Sequence, residues 1–103
     1  MLPALTQQQD AIHNLCQAHQ VLRLWVFGSA ARTAVETDIN DIDFLVQFAP
    51  LELVAHKNAY FGLWFDLEDT LGRSVDLIEV GTITNPYVNN SIQHDRQVIY
   101  AAA

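Results

Sequence analysis

Cysteine is nearly absent from this chain: Cys16 stands alone, which excludes an intramolecular disulfide and any Cys-rich zinc site and leaves a thiol beside Leu15 to be read as a core residue. Proline and glycine are scarce, 3 and 4 in 103 residues, and with half the residues apolar no long linker or low-complexity tract fits. Positive charge is also in short supply. Twelve acidic against 5 basic residues give a net charge of −7, so stable binding of DNA or RNA through phosphate neutralisation is not expected. No run approaches the roughly 18 apolar residues of a membrane span, and residues 1–10 lack a basic start and an apolar stretch of the signal-peptide kind. These absences predict one domain over residues 1–103, with no membrane association and a cytoplasmic location. The acidic excess suits plain solubility, a basic protein partner, or carboxylates gathered around divalent cations; only the placement of the charges can choose.

What is present is an alternation of helix and strand signals. Thr6 and Gln9 are spaced like a capping box, and Ile12, Leu15, Cys16 and His19 follow at helical spacing, predicting a helix over about 7–19. Val21–Phe27 and Ile42–Phe48 are β-rich apolar runs joined by a polar connection with a short helix-compatible stretch. Pro50 opens a long helix over 51–71 with Leu53, Tyr60, Trp64, Leu67 and Leu71 in a narrow arc, and Gly72 suits its end. Val75–Val80 alternates as a strand, and Asn85-Pro86 supplies the cap and first position of a last helix bearing Tyr87, Val88 and Ile92, ahead of a short apolar tail. The expected fold is α+β, a small mixed sheet flanked by helices in the order α-β-β-α-β-α.

Three clusters carry chemistry. Gly28-Ser29 ends the first strand ahead of Ala30, Ala31 and Arg32, a turn that aims N–H groups and a hydroxyl outward as phosphate oxygens require; an ordinary strand-to-helix turn with Ser29 as cap has the same residues. Asp41 and Asp43 flank Ile42, and strand alternation puts both carboxylates on one face about 7 Å apart, where repulsion and desolvation favour a compensating cation, unless the strand start is simply solvated. Asp76 interrupts the Val75–Val80 run and can share that face if the two strands are neighbours, whereas Glu79 falls on the opposite face and is read as surface. His13, His19, His56 and His94 lack HxH, HxxH or HExxH spacing and are read as surface or core residues, not zinc ligands.

Gly28-Ser29, eleven intervening residues, Asp41-x-Asp43 in an apolar strand and a later Asp76 in Val-Asp-Leu-Ile resemble the nucleotidyltransferase superfamily that includes polymerase β, and specifically its smallest members, the minimal nucleotidyltransferases. The resemblance spans about 22–80; Thr33 and Asn40 depart from it, where the family often has Gly and Ser, a departure that bears on turnover and not on the fold. It implies two Mg2+ ions on Asp41, Asp43 and Asp76, with Asp76 helping to deprotonate the acceptor, ATP or another NTP as substrate, and Gly28, Ser29 and Arg32 on the phosphates. It also implies a HEPN-domain partner encoded nearby, a toxin whose tyrosine is adenylylated, since minimal members lack an acceptor-binding domain. A weakly catalytic antitoxin that masks its partner is the alternative; an antibiotic-modifying enzyme would need the acceptor-binding domain this chain lacks. Val54, Phe61 and Phe65 widen the apolar arc of the long helix to about 200°, beyond the ~100° a sheet-packed helix uses. That surplus calls for another subunit, a second copy included, or for cover by the C-terminal helix and tail.

Overall fold

The computed structural model describes residues 1–32, 41–82 and 84–102. A four-stranded mixed sheet is built from β1 (Val21–Phe27), β2 (Asp41–Phe48), β3 (Ser74–Glu79) and β4 (Gln97–Ala101) in the order β3-β2-β1-β4. β2 and β3 are parallel, joined by the long helix α4 (Leu53–Leu71), while β1 pairs antiparallel with both β2 and β4. The remaining helices are α1 (Pro3–Gln7), α2 (Gln9–Ala18), α3 (Ser29–Arg32) and α5 (Pro86–Asp95).

One face of the sheet is closed. Leu24 and Val26 of β1, Ile42, Phe44 and Val46 of β2, and Val75 and Leu77 of β3 are buried with Leu2, Leu5, Ile12, Cys16, Leu63 and Leu67 from the helices. This is the main core, and the alternation of β2 (DIDFLVQF) decides which side chains enter it. The Cys16 thiol lies within it, and burial pushes its pKa up to about 12, so it packs as a small hydrophobe. The opposite face carries a smaller cluster in which Ile92 of α5 packs on Trp25 and Leu45, with Phe27 and Ile78 beside them. The Arg96 guanidinium lies 4.8 Å from the Trp25 ring centroid.

The α+β sheet and its helices are as the sequence predicts; the boundaries need four corrections. The first helix is two, broken at Gln8, and Thr6 lies inside α1 with no side-chain cap at its start, because Pro3 begins a helix of its own. The buried stripe of α4 is Ala59, Leu63 and Leu67, with Tyr60, Trp64 and Leu71 only partly covered, and Leu53 is 84 % exposed in the first turn. Glu79 is not simply surface: it lies on the α4 side and binds His56 Nε2 at 2.7 Å. The C-terminal tail is strand β4, which covers the free edge of β1 and shields Ile99 and Tyr100. Asn85 does cap α5, its side chain accepting from the Tyr87 and Val88 amides, and Gly72 ends α4 at φ +65°.

Since α5 crosses the other face of the sheet and β4 lies on its edge, neither covers the outer side of α4. Phe61 and Phe65 remain 41 % and 62 % exposed there, stacked on one another at 6.4 Å.

Candidate active site

The site stands at the corner where β1 ends and β2 and β3 begin. In the parallel β2–β3 pair Asp43 is the direct neighbour of Asp76, and Asp41 is that of Ser74. In-register neighbours share a face, so Asp43 and Asp76 meet on the face opposite the main core, with Asp41 two residues back on the same side. Phe27 pairs with Asp43 from the antiparallel side, which brings the end of β1 and the Gly28-Ser29 turn alongside.

Gly28 is required by both conformation and space. Its φ is +68°, and a Cβ there would lie 2.6 Å from Asp43 Oδ2. The turn therefore rests on the Asp43 carboxyl, and Ser29 opens α3 exposed beside it.

Electrostatics single out Asp43, whose pKa is raised from the usual carboxylate value of 3.8 to about 6. Burial is the largest cause, followed by the Asp76 charge, a carboxyl–carboxyl hydrogen bond with Asp76, and the Asp41 charge; Arg32 pulls the other way. Asp43, its in-register neighbour Asp76 and Asp41 two residues back form a donor set suited to a hard divalent cation, whose charge would favour the ionised Asp43 carboxylate. The arrangement is two plus one: Asp41 and Asp76 are exposed, and among the described residues no three acidic, imidazole or thiol side chains are drawn into a ready-made metal cage.

Arg32 lies at the end of α3, where its Nη1 donates to Asp95 Oδ2 of α5 at 2.6 Å, so the expected phosphate ligand already has a carboxylate partner. The histidines lie apart: His13 contacts the Ile99 carbonyl, His19 binds Asp66 and His56 binds Glu79. Thr33 and Asn40, the two departures from the family pattern, lie outside the described residues. Sequence reading missed Asp95 and Gln97, which reach α3 from the far end of the chain. Their only sequence signal was position, Asp95 at the end of the last helix and Gln97 just after it.

The family model described as "Polymerase beta, Nucleotidyltransferase" matches residues 10–103. This chain belongs to that nucleotidyltransferase family. It is 36 % identical over 85 residues to a candidate protein adenylyltransferase of Methanocaldococcus jannaschii, MJ0128, with 79 % of each chain covered. A second candidate adenylyltransferase of that organism, MJ1379, is 39 % identical over 77 residues, covering 75 % of each. Among solved structures, a candidate minimal nucleotidyltransferase matches with a TM-score of 0.65 at 28 % identity, covering 90 % of both chains. The MNT antitoxin fold seen in a complex with the tri-AMPylated HEPN toxin of Shewanella oneidensis matches with a TM-score of 0.64 at 18 % identity, covering 95 % of this chain and 73 % of that one. The minimal nucleotidyltransferase fold positions the corner just described.

Proposed function

We propose that this minimal nucleotidyltransferase moves AMP from ATP onto a tyrosine hydroxyl of a HEPN-domain protein, and that it acts as the antitoxin of that protein. The observation that carries the chemistry is the Asp43–Asp76 pair, in register across parallel strands, with the Asp43 carboxyl raised in pKa and set against the Gly28 turn. Asp41, Asp43 and Asp76 would hold two Mg2+ ions, whose chemistry is to polarise the α-phosphate and lower the pKa of the attacking hydroxyl. Ser29 and the Gly28 backbone bind and orient the β- and γ-phosphates, and Arg32 offsets charge on the departing pyrophosphate. The Asp76 carboxylate accepts the proton of the acceptor hydroxyl; the hydroxyl oxygen forms the new bond to the α-phosphorus as the bond to pyrophosphate breaks.

The acceptor is assigned to a HEPN protein because the fold matches a chain crystallised with such a toxin. The chain itself contributes the exposed Phe61–Phe65 side of α4 as an apolar surface for that helical partner. Incubation with the HEPN protein encoded beside it, ATP and Mg2+ should add the mass of one or more AMP groups to a tyrosine of the partner. Neutralisation of the partner with no mass added would replace transfer by simple masking, and no effect on the partner at all would remove the antitoxin assignment.

A further inference from the structure

Among the described residues α3 spans Ser29–Arg32, and a single helical turn is held poorly by its internal hydrogen bonds alone. Contacts from both ends of the chain hold it instead. The Leu2 amide donates to the Ala30 carbonyl at 3.0 Å, and Leu2 is fully buried in the main core. Gln97 Nε2, at the start of β4, donates to the Ala31 carbonyl at 3.1 Å. Asp95, at the end of α5, accepts from Arg32 at 2.6 Å. On its other side the turn leans on Asp43 through Gly28, so where α3 sits fixes where Ser29 and Arg32 stand relative to the carboxylates.

We infer that Gln97 and Asp95 are positioning residues for the nucleotide's triphosphate: the α5–β4 junction braces α3 so that Ser29 and Arg32 keep one place beside Asp43. The inference rests on the nucleotidyl-transfer reading above. The last carbonyls of a helix need donors from outside it, and Gln97 supplies one to Ala31. Asp95 restricts a guanidinium that would otherwise lose rotamer freedom only when phosphate arrives, a cost charged against binding.

Calorimetric titration of the full chain with a non-hydrolysable ATP analogue and Mg2+ tests this. Gln97→Leu, which keeps bulk but has no donor, should weaken binding roughly fivefold, the worth of one neutral hydrogen bond. Asp95→Ala should weaken it similarly, and Asp95→Asn, which still accepts from Arg32, should recover most of the loss. In transfer assays the KM for ATP should rise by more than kcat falls while the KM for the acceptor protein stays unchanged, a split that general loss of structure would not produce. Equal binding by wild type and variants overturns the inference and leaves the transfer reading standing. Tighter binding by Asp95→Ala also overturns it, since Asp95 would then be competing with phosphate for Arg32. A wild-type chain that binds no analogue removes both the inference and the reading beneath it.

Discussion

Neighbouring residues of β2 meet opposite fates. Ile42, Phe44 and Val46 point into a dry core sealed by α1, α2 and α4, while Asp41 and Asp43 point to a face that α5 covers only around Trp25, Leu45 and Ile92. The closed face has the packing that specifies the fold. The open face carries charges that would be costly with no cation or proton between them, and it is there that a strand, a parallel neighbour and a glycine turn converge. The proposed function thus divides stability and chemistry between two sides of one sheet, and substitutions on each side should fail in different ways.

The sharpest contrast comes from replacing both Asp41 and Asp43 with Asn. Mg2+-dependent nucleotide transfer should fall to background while the fold survives at equal or greater stability, since repulsion is relieved. Radiolabelled transfer and thermal melting measure the two halves. On the other face, Phe44→Ala should cost about 3–5 kcal/mol by cavity formation, read as an earlier denaturant midpoint, and should lower activity only as far as it unfolds the chain. A Phe44→Ala chain that is fully folded yet inactive would break the division.

A subtler effect follows from Asp43 alone. Its pKa is raised on folding, so the protonated form is favoured: stability from this group is fully present below the unfolded value near 3.8 and is lost as pH rises through about 6. The full shift corresponds to about 3 kcal/mol, and solvent screening of a partly exposed group reduces this to roughly 1–2 kcal/mol. Asp43→Asn should therefore stabilise the metal-free chain at pH 7–8 and make no difference at pH 4, as melting curves across that range will reveal. A constant gain at every pH would mean that the carboxyl is not strained by its neighbours. Smallest in its effect on the chain itself is Phe65→Glu: the melting temperature should hold within a few degrees while association with the proposed HEPN partner weakens, because a charge pressed into an apolar interface loses hydration with no compensating contact. Unchanged complex formation on size-exclusion chromatography would remove α4 as the docking side.

Much of this division could be read in the residues. Val21–Phe27 is matched to the residue by β1, and the Asp41-x-Asp43 alternation places both carboxylates on one face because strand parity is rigid. That Asp76 joins them depended on β2 and β3 being neighbours, a tertiary fact that the helical connection between them makes natural for a parallel pair. Helix limits were less legible. Thr6 and Gln9 have capping-box spacing, yet Pro3 starts the helix earlier and Gln8 breaks it, so the local signal lost to another one nearby. The burial of α4 was misjudged at Leu53 because periodicity gives the width of an apolar face and not the length of sheet beneath it. Gln97-Val-Ile-Tyr-Ala was too short to stand out as a strand, and its role as the cover of β1's edge exists only in the folded sheet. With it went the chance of seeing Asp95 and Gln97 as neighbours of Arg32 and Ala31, some 63 and 66 residues away in sequence.

The most direct test of the central claim is transfer from ATP labelled either at the α- or at the γ-phosphate, with Mg2+ and the proposed HEPN partner, for wild type beside the Asp41→Asn/Asp43→Asn chain. An open-face nucleotidyl-transfer site predicts α-label on the partner, pyrophosphate released, no γ-label on protein, and no transfer by the double variant. Label arriving from the γ-position, or α-label transferred by the double variant at the wild-type rate, would contradict it.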